Sequence, residues 1–169
     1  MGHYNVKKMV IYPGSFDPIT NGHLSILRRA LTVFDSVTIA VASNPMKNIL
    51  FTLEERMDMI RESTKNDKKV FVDSFHGLLV DYVKRKETNV ILRGMRALSD
   101  FEYEFQMSLM NRKLRRNIQT IFMMTDYKWL YTSSTIIKEA ASYGGTIKGL
   151  VPDIVCQKLK EKYGYKSQV

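Results

Sequence analysis

Cysteine occurs once in this 169-residue chain, and so does tryptophan. A lone Cys156 excludes an internal disulfide framework and any cysteine-rich zinc site. Its surroundings, VPDIVCQKLKEKYG, read as a terminal helix in which a thiol packs rather than reacts. No apolar run approaches the roughly 20 residues that a spanning helix needs, so no membrane partner is expected. The N-terminal MGHYNVKKMV has no apolar core ahead of a small-residue cleavage site, so no signal peptide is expected. Val6 stands where a myristoylation signal needs Ser or Thr. Repeats, low-complexity segments and linkers are also missing. These absences leave one cytoplasmic domain spanning 1–169, long enough to bury a single core.

Acidic residues are scarce. Seventeen Asp and Glu face 26 Lys and Arg, for a net charge of +9. Such a surplus fits nucleic acid as a partner, or small polyanionic substrates. The longest basic cluster, NRKLRR at 111–116, ends a predicted helix, where cations complement the helix dipole. It reads as a solvated helix end rather than a nucleic-acid stripe.

What is present alternates. KKMVIYP, SVTIAVAS, KKVFVDSF, NVILRG and QTIFMMT are short apolar runs of strand type. Between them lie helical spacings: Leu24, Leu27, Leu31 and Phe34; then Leu53, Met57 and Ile60; then Leu78, Leu79, Tyr82 and Val83. Thr52 with Glu55 and Ser99 with Glu102 each match a capping box. SSTIIKEAASYGG is a helix stopped by glycines, and Pro152 and Gly164 frame a last helix over about 151–163. Strands buried on both sides and alternating with helices predict an α/β fold. The expectation is a single Rossmann-like, doubly wound domain with a five-stranded parallel sheet and helices on both faces. The long helix DFEYEFQMSLMNRKLRR is apolar twice over, with Phe101, Phe105 and Leu109 on one face. Tyr103, Met107, Met110 and Leu114 mark the other. Either it lies deep in the core or its second face meets another subunit; outside a sheet, the interface is favoured.

In open α/β sheets, ligands bind beyond the carboxyl ends of the strands. The first strand ends in YPGSFDPITNGH, where Pro13, Gly14 and Ser15 allow close approach to the backbone. Thr20-Asn21-Gly22-His23 then opens a helix whose free N–H groups favour an anion, with Gly22 leaving room and His23 aimed at the same phosphate. The plain alternative is a β–α turn with a surface histidine. TSSTIIKE at 132–139 puts Thr132, Ser133, Ser134 and Thr135 at another helix start, with ordinary capping as its plain alternative. Arg93-Gly94-Met95-Arg96 sets two guanidiniums around a glycine, a pattern suited to paired contacts with phosphate. Three phosphate-seeking elements at three strand ends point to one pocket. His3 and His76 belong to no motif.

These residues also carry a resemblance. TNGH is similar to the T/H-x-G-H motif of the nucleotidyltransferase superfamily, and SSTIIK to its second signature. YPGSFDPITNGHLSIL, FTLEERMDMI, LLVDYV and LRGMRALSDFEYEFQMSLMNRKL resemble the phosphopantetheine adenylyltransferases, from about Val10 to Val155. The resemblance implies transfer of an adenylyl group from ATP to 4′-phosphopantetheine, giving dephospho-coenzyme A and pyrophosphate, with Mg2+. It assigns His23, Lys47, Arg96 and Ser134 to catalysis. Ser15, Phe16, His23, Gly94, Met95, Arg96 and Glu104 fall on its ATP site, as do Trp129, Leu130, Tyr131, Thr132, Ser133, Ser134 and Thr135. Ser15, Lys47, Leu79 and Arg93 fall on the acceptor site. It further implies a homohexamer built as a dimer of trimers, with coenzyme A as a feedback ligand. Leu130, Thr132 and Thr135 depart from the usual Ser, Ile and Ser.

The chemistry asks little covalent work of the protein. A phosphate monoester has its second pKa near ~6, so the acceptor attacks as a dianion without a base. Positioning supplies on the order of 7–11 kcal/mol, and donors stabilise the charge that builds on the phosphoryl oxygens. Excess positive charge is expected to draw both anions into the cleft. The rivals are a nicotinamide-mononucleotide adenylyltransferase, which shares both superfamily motifs but lacks RGMRALSDFEYE, and a basic RNA-binding module. The second would show steep salt-dependent RNA affinity and no ATP turnover.

Overall fold

Strands form where the apolar runs lie, and helices alternate with them along the chain. The computed structural model describes residues 8–43 and 49–164, with the backbone alone at Leu98 and Ser99. The strands are β1 (Met9–Gly14), β2 (Ser36–Ala42), β3 (Val70–Phe75), β4 (Val90–Met95) and β5 (Gln119–Met124). They make one parallel sheet in the order β3-β2-β1-β4-β5. The helices are α1 (Asn21–Ala30), α2 (Leu53–Thr64), α3 (Leu79–Arg85) and α4 (Leu98–Leu114). They continue with α5 (Ser134–Ser142) and α6 (Asp153–Tyr163), and a short 3-10 turn spans Tyr127–Trp129. Among the described residues no helix is long and apolar enough to cross a membrane.

The alternation of side chains along a strand divides the core in two. Val10 and Tyr12 of β1, with Val37 and Ile39 of β2, face α1, α2, α5 and α6. Ile11 and Ala40 turn the other way and meet Val80, Tyr82 and Val83 of α3. The sheet is thus covered on both faces, as the apolar runs predict. Chain order reverses between β1 and β4: the chain runs outward through β2 and β3, then crosses back to lay β4 beside β1. Side-by-side strands whose following connections leave in opposite directions open a crevice at their carboxyl ends.

Three local expectations change. Leu78 is 56% exposed and precedes α3, while Val80 is buried in its place. The box expected at Ser99 and Glu102 does not form, because α4 begins at Leu98 with Ala97 as its N-cap and no side-chain cap. Asp100, at the N3 position, reaches back to Arg96 instead, and the helix starts two residues earlier than a cap at Ser99 would place it. The deep-core alternative for α4 is also excluded. Of its described side chains only Asn111 is buried, and both of its apolar faces stand open, from Met107 at 40% to Tyr103 at 64%.

Candidate functional site

A cavity of about 440 Å³ occupies the crevice at the carboxyl ends of β1 and β4. Its walls come from the β1–α1 loop, the start of α1, the end of β4, α4 and the start of α5. The elements the sequence set far apart therefore share one pocket.

The β1–α1 loop turns sharply. Phe16 has φ 46, a left-handed conformation that a bulky side chain seldom adopts. Its ring is 3% exposed and stands edge-on to Tyr12 at 5.4 Å and to His23 at 5.1 Å. A Cβ on Gly14 would sit 2.9 Å from that ring, so this glycine admits Phe16 as much as any ligand. Asp17, 5% exposed, accepts from the backbone N–H groups of Leu50 and Phe51 and pairs with Lys138 of α5 at 2.6 Å.

At the start of α1 the histidine serves the helix itself. Thr20 is the N-cap, and its Oγ1 accepts from the His23 backbone N–H. His23 Nδ1 in turn accepts from the Thr20 backbone N–H at 3.1 Å. A backbone amide can only donate, so Nδ1 carries no proton and the neutral ring holds its hydrogen on Nε2. Burial first, and the fields of Arg96 and Arg93 after it, lower the His23 pKa to about 4. The residue lining the pocket is therefore an uncharged donor. Gly22 lines the cavity, and a side chain there would point toward Thr20, Trp129 and Thr125 at ordinary contact distance.

Both arginines already have partners. Arg93 binds Glu104 through Nε and Nη2 and donates through Nη1 to the Pro13 carbonyl at 2.9 Å. Arg96 binds Asp100 through Nε and Nη2, each at 3.1 Å, and reaches the Thr132 carbonyl through Nη1. Asp17, Asp100 and Glu104 thus balance Lys138, Arg96 and Arg93 across the pocket wall. The surplus of positive charge expected in the cleft is not carried by its described wall.

At α5, Ser133 caps the helix by accepting from the Ile136 N–H, and Ser134 donates to the Pro18 carbonyl at 2.7 Å. Thr132 is 2% exposed, and its hydroxyl has no partner in the structure. The first N–H groups of a helix are the ones its own ladder leaves open. A pocket offering them with an imidazole N–H suits an anion that can also accept from a neutral donor.

Among the expected residues, Ser15, Phe16, His23, Arg93, Gly94 and Arg96 line the pocket. So do Glu104 and the run from Thr132 to Thr135. Met95 is buried, and Trp129, in the 3-10 turn, packs toward Gly22 with Lys128 Nζ 5.2 Å from its ring centre. Leu130 and Tyr131 are 42% and 63% exposed. None of these four lines the cavity. Leu79 packs on the opposite core with α3. Lys47 lies outside the described residues. Thr20, at the expected helix start, also lines the pocket, and sequence reasoning missed Asp17, Asp100 and Lys138, which line it too. Asp100 was findable four residues after Arg96, and Lys138 one helical turn after Ser134; the partnership of Asp17 with Lys138 has no local signal.

The family model described as cytidylyltransferase-like matches residues 11–140. A phosphopantetheine adenylyltransferase of Syntrophus aciditrophicus (strain SB) is 60% identical over 158 residues, covering 94% of this chain and 96% of that protein. One of Desulfosudis oleivorans is 60% identical, covering 94% of each chain. One of Carboxydothermus hydrogenoformans is 54% identical, covering 92% of this chain and 96% of that protein.

Proposed function

From a chain that belongs to the phosphopantetheine adenylyltransferase family, we propose an enzyme that moves the adenylyl group of ATP onto 4′-phosphopantetheine. The products are dephospho-coenzyme A and pyrophosphate. A phosphate oxygen of the acceptor bonds to the α-phosphorus of ATP, and the bond from that phosphorus to the α,β-bridging oxygen breaks. Pyrophosphate leaves with the electron pair. No base and no covalent intermediate are required, since the acceptor phosphate is mostly dianionic at neutral pH.

The observation that carries the reading is the shared pocket of His23 and the α5 start at the β1/β4 crevice. His23 donates through Nε2 to an α-phosphoryl oxygen as negative charge grows there. A neutral donor suits this role, because it needs no proton change during the step. The open N–H groups of α5, with the hydroxyls of Ser133, Ser134 and Thr135, hold the triphosphate. Arg93 takes the acceptor phosphate, and Arg96 with Lys47 takes charge on the bridging and leaving oxygens. Each arginine exchanges part of its carboxylate pairing for phosphate as ligands enter. Ser15, Phe16 and Gly94 present backbone to the nucleotide. Met95, Glu104 and Trp129 through Tyr131 complete its surroundings, and Leu79 contributes to the acceptor side.

Magnesium belongs with the nucleotide in this reading. Asp17, Asp100 and Glu104 are each engaged by a cation, and no group of three candidate ligands occurs among the described residues. A magnesium ion would enter with the nucleotide and neutralise part of the triphosphate charge. The open apolar faces of α4 support burial against other copies, as in a homohexamer. Coenzyme A contains the acceptor's own pantetheine arm and restrains the enzyme by occupying its site. The work is done in the cytoplasm.

The test is pyrophosphate release from ATP with and without 4′-phosphopantetheine. Release that requires the acceptor is expected. Equal release with nicotinamide mononucleotide, or none with either acceptor, would overturn the reading.

A further inference from the structure

Outside the pocket, Arg56 is 1% exposed, one of the largest fully buried side chains in the described molecule. Burial lowers its pKa, and the charge of Asp17 works against that fall. A guanidinium so placed is costly unless its hydrogen bonds are well made. Here they all go to backbone carbonyls: Nε donates to Phe51, and Nη1 donates to Ser15 at 2.6 Å and to Ala42 at 3.1 Å. Arg56 sits on α2, yet its shortest bond holds the loop that opens the pocket.

We propose that Arg56 is a positioning residue for adenylyl transfer: by holding the Ser15 carbonyl it aims the Phe16 backbone N–H at the nucleotide phosphates. The Ser15–Phe16 peptide is trans, and a trans peptide sets its N–H opposite its C=O. A carbonyl drawn back to α2 therefore turns the next N–H out of the core, toward the cavity that Ser15 and Phe16 line. The left-handed φ of Phe16 needs support from its surroundings to persist. Arg56 supplies it before the residue, and Asp17, tied to Leu50, Phe51 and Lys138, supplies it after. This inference rests on the adenylyl-transfer reading above.

The test is Arg56→Lys. A lysine keeps the buried charge, but one ammonium cannot reproduce the planar fork that joins three carbonyls. We expect kcat to fall about 10²-fold, the scale of a misplacement near ~1 Å at the reacting centre. Calorimetric titration with ATP should keep the native stoichiometry, so that the loss belongs to intact sites. An intact variant whose kcat stays within about threefold of native would overturn the inference while leaving the reading standing. Native protein that releases no pyrophosphate would overturn both. Should the variant not fold, native protein decides: the Phe16 amide proton must move downfield on saturation with a non-hydrolysable ATP analogue and magnesium. An unmoved resonance in protein that binds the analogue sinks the proposal.

Discussion

Helices α1 and α2 begin with the same device and put it to different use. In each a threonine caps the helix, and the side chain three residues on reaches back to the threonine N–H. At α2 that side chain is Glu55, whose Oε2 accepts from Thr52 at 2.7 Å while its Oε1 meets Lys162 at 2.9 Å. Both oxygens are engaged by the fold. At α1 it is His23, which caps with Nδ1 alone and keeps a protonated Nε2 for the pocket. A carboxylate at this position can only accept, whereas an imidazole accepts on one side and donates on the other. The cap selects the tautomer that leaves an N–H for the phosphoryl contact proposed above. One backbone requirement thus fixes the orientation of a side chain and its protonation together.

The largest test of that contrast is His23→Ala. It should lower kcat by about 10²–10³-fold, or roughly 3–4 kcal/mol, as for loss of one oxyanion-type donor. Affinity for both substrates should change much less. His23→Gln sharpens the point, because an amide can accept from Thr20 through Oε1 and still offer an N–H. It should retain more activity than alanine. His23→Glu copies the α2 arrangement, so it should fold as well as native and turn over no faster than alanine. Rapid turnover by the glutamate variant would break the comparison.

The next effect concerns pH. A folded pKa of about 4 lies below the ordinary 6.5, so between those values the unfolded chain binds more protons at His23. The native fold is therefore fully stable with respect to this group above pH 6.5, and loses stability as pH falls toward 4. The loss should reach roughly 3 kcal/mol. Activity is a poor gauge, because the acceptor phosphate titrates near ~6 as well. Urea midpoints of native protein and His23→Gln, compared across the window, isolate the imidazole. Parallel curves for the two would show that His23 is not held neutral by the fold.

How much of this was legible follows the range of each interaction. The strands announce themselves because a residue buried on both sheet faces must be apolar, so Val10, Ile11 and Ile39 form unbroken runs. Thr52 and Glu55 were readable because glutamate is the usual partner in a capping box. Thr20 and His23 form the same box, but an imidazole there looks like a ligand-seeking group and its structural half goes unseen. Ser99 and Glu102 matched the pattern and were overridden by a competing local pair, the hold of Arg96 on Asp100 four residues on. The phosphate-seeking elements were found at three strand ends. Their neutralising partners were not, since Lys138 and Asp17 lie 121 residues apart. Nor could spacing reveal that Trp129 packs behind Gly22 rather than lining the cavity.

Smaller effects come from the two threonines. Thr20→Ala and Thr52→Ala each remove a cap hydroxyl and should each cost about 1 kcal/mol of stability, measured by denaturant unfolding. Only the first should touch catalysis. Thr20 Oγ1 lies 3.0 Å from His23 Nδ1, so its loss frees the ring to tilt and should lower kcat about tenfold, equal to ~1.4 kcal/mol. Thr52→Ala should leave kcat at the native value. Equal losses of kcat in both variants would mean that the caps act through general stability and not through the imidazole.

The smallest expected effect is at Glu55. The hydrogen bond to Lys162, with the cap bonds to Thr52, holds its pKa below the ordinary carboxylate value, so its contribution is present at neutral pH and fades in acid. Both side chains are about one-third exposed, and water screens the pair. Glu55→Gln keeps an oxygen for the Thr52 N–H and loses only the charge. It should cost no more than about 0.5 kcal/mol at pH 7, and nothing in acid where the native carboxyl is protonated. Turnover should not change, because Glu55 only closes the end of α2 and anchors α6. A fall in kcat here would show that the α2 cap, too, reaches the reacting centre, and the division between a cap that only folds and a cap that also reacts would be lost.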